Sequence, residues 1–571
     1  MSKIAWCSLP IIIFSAVLLP AQTNVLTWHN DDWRDGLNST ETVLNQSNVN
    51  PAHFGKVCSA VFDGQLYAQP LVVVQGGKNI VYVVTMNDSV YSVDGTSCKQ
   101  ISRVSLLQAG ERPPLCQDVG GSKCSNIKPI VGIVGTPVID TSTNTIYLVS
   151  ESESTVGGCA TQLTPSCFTH RLHALDLTSF AEKFGGPIVV AASFQGATFT
   201  SRNHIQRAGL LLLPGNPPSG QNTLYVAFTA MDGTGIPGKS VPHGWLFGFN
   251  ASDLTSAPLV WSSTPAGEGG GMWMAGAGLA AGLDAPGGST YIYVATGDGD
   301  FTANTGGADY GDSFVKLTPN LTVAPNGYFT PFSQACLNPE DMDFGSGGVM
   351  LFPDKGSTFY AVAQGKDGYL YVQDRANPGG YTPPTNNTCP ATGSNANQEY
   401  FMGRTGHPYF TTAAYWNSRL FYAPMFAPVI RYRVSLASPP VCTPSPICQN
   451  QTTATTARFQ YGTNLSISSS GNTTGTAILW AVKGNGWPSA DTPNTAVLYA
   501  FDAEHTASSH AIPELWDSNR CPERDQPGYG SHFAVPTVAN GLVYLGTMDP
   551  TDPANVRGEL DVFGPTMKAC D

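Results

Sequence analysis

Four aspartates lie within fifteen residues in the middle of the chain, at positions typical of loops between strands. They are Asp298, Asp300, Asp309 and Asp312. Carboxylate oxygens are the ligands that Ca²⁺ prefers, so such a cluster can form a cation site. Aspartates beside glycines also cap turns, and the sequence leaves both interpretations open. For a second pair, Asp341 and Asp343, the turn interpretation is favoured.

The elements that must position these side chains are short β-type segments that recur along the chain. Each contains an aromatic residue among aliphatic ones, and consecutive aromatic residues are 58 to 78 positions apart. These residues are Tyr82, Tyr147, Tyr225, Tyr293, Tyr360, Tyr422, Trp480 and Tyr544. A second strand is predicted after each, as at residues 245–250 and 497–502. Long helical periodicity is absent.

A four-stranded sheet cannot bury both faces alone, but eight sheets packed around an axis can. The repeat therefore predicts an all-β protein, an eight-bladed β-propeller of four-stranded antiparallel blades. We expect residues 22–571 to form this propeller as a single domain. Closing the ring requires a strand from the N-terminal side, and residues 54–62 are predicted to complete the sheet that contains residues 560–563. Functional residues are expected in the loops.

The first 21 residues are typical of a secretory signal peptide. They contain Lys3, an apolar run over residues 4–19 and a small residue, Ala21; an N-terminal membrane anchor is the alternative. No other segment is long and apolar enough to span a bilayer. We therefore expect a mature chain that is secreted or periplasmic, with no stable membrane span.

The cysteine content is typical of an oxidising compartment. Outside the signal segment 12 of the 13 cysteines remain, an even number. Close spacing predicts three disulfide bonds, Cys116–Cys124, Cys159–Cys167 and Cys442–Cys448. The absence of a C-x-x-C motif argues against a zinc knuckle, a thioredoxin-type redox pair and c-type haem attachment.

The charge distribution limits the partners. With 28 basic and 41 acidic residues the net charge is −13, which repels a phosphate backbone and disfavours nucleic acid as a partner. A polar cluster near the mature N-terminus contains His29, Asp31, Asp32 and Arg34. A solvated position or a role between blades is favoured over catalysis for these four residues.

Several segments resemble the quinoprotein alcohol dehydrogenase family, whose eight-bladed propellers bind pyrroloquinoline quinone (PQQ). They include YIYVATGDGD at residues 291–300, YGDSFVKL at 310–317, GKDGYLYVQDR at 365–375 and DMD at 341–343. The chain is similar, more closely still, to secreted bacterial PQQ-like propellers of open activity. The resemblance covers most of the mature chain as a repeat, and the motifs are concentrated between residues 267 and 379.

This resemblance implies PQQ and Ca²⁺ as cofactors and, for an enzyme, a PQQ-dependent alcohol dehydrogenase-like reaction. Carried over by motif, Asp312 matches the catalytic base, Asp298 matches a calcium ligand, and Lys366 matches a residue that contacts the quinone oxygens. Trp273 is either the stacking floor of the cofactor cleft or a core residue.

Two departures from the family pattern favour an alternative. The adjacent cysteines that often cover the quinone are absent, and residues 239–243, Lys-Ser-Val-Pro-His, stand where a calcium-binding glutamate is expected. The alternative is a noncatalytic propeller that binds an extracellular carbohydrate, peptide or protein partner, or another small molecule, across one face.

Overall fold

The computed structural model describes most of the chain. The described residues are 22–120, 127–216, 220–231, 241–386, 388–395, 398–401, 410–436, 446–460, 462–484, 494–506, 511–552, 554, 556–568 and 570. The predicted signal peptide lies outside them. No helix among the described residues combines the length and apolarity that a membrane crossing requires.

Eight small antiparallel sheets form a ring, which confirms the predicted eight-bladed propeller. Blade 1 contains Leu71–Gln75, Lys78–Val84, Ser89–Asp94 and Gln100–Ser105; blade 2 contains Val138–Asp140, Thr145–Ser154, Phe168–Asp176 and Ile188–Val189; blade 3 contains Leu211–Asn216, Gln221–Phe228, Trp245–Asn250 and Leu259–Ser262; blade 4 contains Ala280–Leu283, Thr290–Ala295, Phe314–Leu317 and Val323–Thr330. Blade 5 contains Met350–Leu351, Tyr360–Gln364, Tyr369–Asp374 and Gln398–Phe401; blade 6 contains Ala414–Trp416, Arg419–Tyr422, Ala427–Val434 and Ile447–Phe459; blade 7 contains Ser466–Ser468, Ile478–Lys483, Val497–Asp502 and Glu514–Asp517; blade 8 contains Thr537–Ala539, Leu542–Met548, Gly558–Pro565 and Phe54–Phe62.

Short elements decorate the blades and the loops between them. Additional strands are Leu37–Asn38, Glu111–Arg112, Ser193–Phe194, Ala197–Thr198, Gly380–Tyr381 and Tyr529–Gly530, and α-helical turns are Cys116–Gly120, Gln334–Leu337 and Pro522–Asp525. The 3₁₀ turns are Gly157–Ala160, Pro165–Cys167, Ser201–Asn203, Met274–Gly276, Ala303–Thr305, Asn338–Glu340, Phe344–Ser346 and Ser518–Arg520.

The core lies between neighbouring blades, where the aromatic residues of the repeat are placed. All eight of them lie in the second strand of their blade. One apolar cluster joins Tyr82 of blade 1 to Leu148 of blade 2 and Tyr544 of blade 8. Each sheet therefore buries its faces against its neighbours, as a propeller requires.

The tyrosines of the first three blades also make a repeated hydrogen bond. The hydroxyl groups of Tyr82, Tyr147 and Tyr225 donate to the carbonyl groups of Leu177, Ala251 and Pro319 at 3.0, 2.8 and 2.6 Å. Each acceptor lies just after the third strand of the next blade. A tyrosine suits this position because its ring fills the interface while its hydroxyl group bonds the neighbouring blade.

The N-terminal strand closes the ring as predicted. Phe54–Phe62 pairs antiparallel with Gly558–Pro565, in a register that sets Phe62 opposite Gly558 and Phe54 opposite Pro565. The last blade is thus assembled from both ends of the described chain.

The segment of residues 25–38 meets the innermost part of every blade, so the polar cluster around Arg34 has an inter-blade role. In blade order the contacts are Val25 with Val72, Leu26 O with Ile139 N, Arg34 Nη2 with Leu210 O, Asp32 O with Ala281 N, Trp33 O with Leu351 N, Asp35 O with Tyr415 N, Leu37 with Ile467, and Asn38 Nδ2 with Val538 O. This segment, the N-terminal strap, links all eight sheets.

Disulfide bonds fasten several loops. The predicted bond Cys159–Cys167 is confirmed, and the structure adds Cys58–Cys98, Cys336–Cys389 and Cys521–Cys570. Cys116 and Cys448 are also disulfide-bonded. The partners predicted for them, Cys124 and Cys442, lie outside the described residues.

Candidate functional site

The residues singled out by the sequence come together on loops of blades 3 to 5. Asp298 and Asp312 lie in the loop between Thr290–Ala295 and Phe314–Leu317, and Lys366 lies in the corresponding turn of blade 5. Trp273 lies in the connection that enters blade 4. The loops with Asp298, Asp312 and Lys366 connect the second and third strands of neighbouring blades. Because the blades repeat around the ring, these loops lie close together at the same end of the propeller.

Asp343 joins these groups, although the turn interpretation was favoured for it. Its Oδ2 lies 2.5 Å from Lys366 Nζ, and its Oδ1 accepts a hydrogen bond from Asp298 N at 2.9 Å. A Cβ atom at Gly297 would overlap Asp343 Oδ1 and lie 2.8 Å from Trp273 Cδ1. A glycine at 297 therefore lets the indole and the carboxylate approach the same backbone.

Lys366 neutralises two acids at once. Its Nζ donates to the carbonyl and to Oδ1 of Asp341, both at 3.0 Å, in addition to the Asp343 contact. Burial opposes ionisation of Asp343, but Lys366 outweighs it and lowers the pKa of this carboxyl. Burial likewise disfavours the ammonium ion, yet Asp343 and Asp341 raise the pKa of Lys366. The pair is charged at neutral pH.

The pKa values of Asp312 and Asp298 are shifted in the opposite direction to that of Asp343. Asp312 is fully buried, its Oδ1 accepts from Phe344 N at 3.1 Å, and Gln334 Nε2 lies 3.5 Å from its Oδ2. Burial and the nearby Asp343 charge raise the pKa of Asp312 well above its ordinary value and raise the pKa of Asp298 to about 10. Asp298 therefore holds its proton at neutral pH unless a cation replaces it, and the same causes favour the protonated form of Asp312.

Three of these carboxyl groups form a candidate cation site. One oxygen atom each from Asp298, Asp341 and Asp343 lies within 4.8 Å of the others. Asp298 Oδ1 is buried and accepts no hydrogen bond among the described residues. Such a set of hard oxygen donors, with one oxygen unused, fits Ca²⁺.

The two other aspartates of the predicted cluster cap turns. Asp309 Oδ1 accepts from Ala266 N and Gly267 N at 3.0 and 3.1 Å, and Asp300 Oδ2 accepts from Glu268 N at 3.0 Å. The turn interpretation thus fits Asp300 and Asp309, and the cation interpretation stays a prediction for Asp298.

Arg207 is a member of the site that the sequence analysis missed. It is 2% exposed, and its guanidinium lies 4.1 Å from the Phe533 ring centre and 5.7 Å from those of Trp273 and Phe410. Burial lowers its pKa to about 9, partly offset by Asp343. Nε and Nη2 have no hydrogen-bond acceptor in the described part of the chain. Its signal in the sequence is only an arginine just before an apolar strand.

Trp273 packs against the core but also reaches the acidic site, and its role as a stacking floor stays a prediction. The ring is partly exposed and packs against the apolar cluster at the hub, where the loops between blades meet. It also borders the acidic site through Gly297 and contacts Arg207. Lys239, which occupies the expected position of a calcium-binding glutamate, lies outside the described residues.

The fold is a propeller of the architecture found in quinoprotein alcohol and methanol dehydrogenases. No family model and no curated protein matches the chain. Among solved structures it is similar to a quinohemoprotein alcohol dehydrogenase from Comamonas testosteroni, at 13% identity and a TM-score of 0.56, over 95% of this chain and 81% of that one. It is also similar to a quinohemoprotein alcohol dehydrogenase from Pseudomonas putida HK5, at 12% identity and a TM-score of 0.54, over 96% of this chain and 81% of that one.

A europium-containing methanol dehydrogenase is also similar, at 13% identity and a TM-score of 0.55, over 95% of this chain and 98% of that one. At such low identity these similarities establish the fold and leave the chemistry to the residues of the site.

Proposed function

We propose that the chain is a secreted or periplasmic quinoprotein that binds Ca²⁺ and PQQ in the acidic cleft and oxidises an alcohol. The observation that carries this proposal is the convergence of Asp298, Asp343 and Lys366 beside Trp273 in a propeller of this fold. The names of the similar dehydrogenases support the reaction class.

Asp298, Asp341 and Asp343 would hold the cation. Ca²⁺ takes about six to eight oxygen ligands, so three carboxyl groups supply a large part of its shell. Metal binding would displace the protons that the raised pKa of Asp298 indicates, because a cation favours the ionised form. Lys366 limits the negative charge that remains to be neutralised.

Arg207, Lys366 and Trp273 would hold the quinone. PQQ is a flat anionic ring system, which suits an indole beside a guanidinium with two unused nitrogen atoms. When bound, PQQ supplies the electron-accepting ring to which an alcohol transfers hydride. The apolar cluster around Arg207 would exclude water from this side of the cleft.

The two buried aspartates receive different roles because their pKa values are shifted in opposite directions. Asp343, kept ionised by Lys366, serves as a cation ligand. Burial raises the pKa of Asp312 and so increases its proton affinity, a nearby cation would supply the ionised form that can accept a proton, and we assign it the alcohol proton.

The proposed compartment follows from the disulfide bonds and the apolar N-terminal segment. Four disulfide bonds among the described residues are compatible with an extracytoplasmic protein. N-terminal sequencing of the secreted or periplasmic protein tests this part, since cleavage after residue 21 is expected.

The cofactor proposal is tested by incubating the mature protein with CaCl₂ and PQQ, desalting it, and measuring retained calcium, quinone absorbance and dye-linked oxidation of primary alcohols. We expect stoichiometric quinone and turnover. Asp298→Ala should lose both ligands, whereas Asp300→Ala, a substitution of a turn-capping aspartate in the same loop, should retain them. A wild-type protein that retains neither ligand contradicts the proposal.

The assignment of roles is tested with Asp312→Asn and Asp343→Asn. The first should retain quinone and lose about a hundredfold or more in turnover, and the second should lose calcium. The reverse result would move the base to Asp343. Ligand retention without turnover in the wild type would contradict the oxidoreductase activity and leave a noncatalytic propeller.

A further inference from the structure

A cavity of about 720 Å³ opens at the end of blade 4 that lies away from the acidic cleft. Thr290 and Tyr291 line it at the start of the strand Thr290–Ala295, whereas Asp298 follows the end of that strand. A strand of this length spans about 20 Å, so the cavity and the cleft are separate. Small-molecule sites typically have volumes of about 300–1,000 Å³, a range that includes this cavity.

The lining of the cavity is acidic, aromatic and apolar. Its charged side chains are Asp32 and Asp354, and the described lining contains no lysine, arginine or histidine. Its two rings, Trp33 and Tyr291, are partly exposed. The apolar side chains of the lining are Leu213, Pro214, Ala281, Leu283 and Pro319. A surface of this composition favours a cation that carries an apolar body.

One of the two acids has no close counter-charge. Asp354 pairs with Arg375, whereas the Asp32 carboxyl group accepts no hydrogen bond and forms no ion pair within the described ranges and interacts with Arg34 only through its charge. The donors of Arg34 are used by the Thr27 hydroxyl group and by four backbone carbonyl groups. Burial therefore outweighs Arg34 and raises the pKa of Asp32. A cation in the cavity would compensate the ionised carboxylate.

The rings beside this carboxyl group can stabilise a cation as well. Lys316 Nζ lies 4.1 Å from the ring centre of Tyr291 and pairs with Asp284 at 2.8 Å, so the tyrosine already has an ammonium group over one face. Trp33 contacts no cationic side chain in the part of the chain that the structure describes, and it directly follows Asp32 in the lining. Among aromatic side chains an indole attracts cations most strongly. Trp33 is thus the ring that a ligand cation can use.

We propose that this cavity binds a small primary amine in its protonated form, with an aromatic or aliphatic body. The ammonium group donates hydrogen bonds to the Asp32 carboxylate and lies beside the Trp33 ring, while the body packs on the apolar lining. An anionic ligand would meet two acids and no base in the lining. A neutral ligand would leave the charge of Asp32 uncompensated.

The test is calorimetric titration of the mature protein with three probes that share a phenyl group and differ in charge. They are 2-phenylethylamine, phenylacetamide and phenylacetate, and tryptamine is a second amine with a larger body. We expect at least one of the amines to bind, about tenfold or more tighter than the neutral amide, and the carboxylate to bind most weakly. Failure of both amines, or binding of the amide or the carboxylate as tight as that of the amines, overturns the proposal.

Variants locate the site. Asp32→Asn, which keeps the side-chain shape, should weaken amine binding about tenfold, and Asp32→Glu should keep the preference for the amine over the amide. Trp33→Leu, which removes the ring but stays apolar, should weaken amine binding about fivefold. The matched control is Asp374→Asn, since Asp374 ends the third strand of blade 5 outside the cavity lining, and its amine affinity should equal that of the wild type.

Unchanged amine binding in Asp32→Asn would place the amine elsewhere on the protein and overturn the assignment. Equal losses in the Asp32 and Asp374 variants would overturn it too, because they would show a general effect of charge. Calcium and quinone are absent from this titration, so its result is independent of the proposed oxidoreductase function.

Discussion

The hub of the propeller buries two arginines and uses them in opposite ways. Arg34, in the N-terminal strap, donates from Nε to Leu279 O and from Nη1 to Trp28 O, both at 2.8 Å, and makes further bonds to Thr27, Asp31 and Leu210. Arg207, among the loops, has aromatic rings around it and no acceptor for Nε or Nη2 in the described residues. Burial alone therefore does not indicate function; burial with unused donors does.

The same contrast separates the carboxyl groups. Asp309 and Asp300 accept backbone hydrogen bonds that shape their loop, whereas Asp298 keeps a buried oxygen without a donor. The polar groups of the N-terminal strap are used to hold the fold together, whereas the acidic cleft keeps a buried carboxylate oxygen that a ligand can use.

Arg34→Met should give the largest effect, because it removes the donors that satisfy several buried carbonyl groups. We expect a loss of about 3–5 kcal/mol in the free energy of unfolding, measured by urea denaturation. Arg34→Lys should recover part of it. A loss below about 1 kcal/mol would remove the contrast with Arg207.

Lys366→Met should lower the free energy of unfolding by less, about 1–3 kcal/mol at neutral pH, because Asp343 keeps its hydrogen bond from Asp298 N. Since Lys366 lowers the pKa of Asp343, the stability from this pair is present above the ordinary pKa of aspartate and is lost as pH falls through the folded-state value. The two proteins should therefore converge in stability at low pH. A constant difference down to pH 2 would show that the ion pair is not responsible.

Asp298→Asn should change the pH dependence of stability. The native carboxyl holds its proton up to a pKa of about 10, while the unfolded chain releases it near pH 4. The free energy of unfolding of the wild type therefore falls as pH rises through this range. The variant should show a flatter profile in thermal unfolding from pH 5 to 9, and Ca²⁺ should stabilise only the wild type. Identical slopes would contradict the raised pKa of Asp298.

Arg207→Met should have the smallest effect on stability, within about 1 kcal/mol of the wild type, because its buried donors have no acceptors to lose. Quinone retention should fall in the same variant. A loss of stability as large as that of Arg34→Met would show that Arg207, like Arg34, has a structural role.

The sequence predicted the blades well because their signals are local. The strands predicted at residues 245–250 and 497–502 begin and end where the structure has them, and each aromatic residue of the repeat lies in the second strand of its blade. The closing strand was also predicted, since a ring with one incomplete sheet needs a partner from the other end of the chain. The grouping of Asp298, Asp312 and Lys366 in one site was implied by the resemblance to quinoprotein alcohol dehydrogenases.

Other parts of the site depended on long-range contacts that a repeat does not encode. The motif of Asp341 and Asp343 was visible, but its contact with Lys366 depends on the path of an irregular loop. Arg207 carries no motif, and its aromatic neighbours Phe410 and Phe533 come from distant loops. The course of the strap around the hub likewise left only a short polar cluster in the sequence.

The sequence by itself thus determined the number of blades, their strands and the closure of the ring, because alternation and spacing act between neighbours along the chain. Only the tertiary structure decided which buried polar groups are satisfied. That property depends on atoms separated by hundreds of residues, and it distinguishes Arg34 from Arg207.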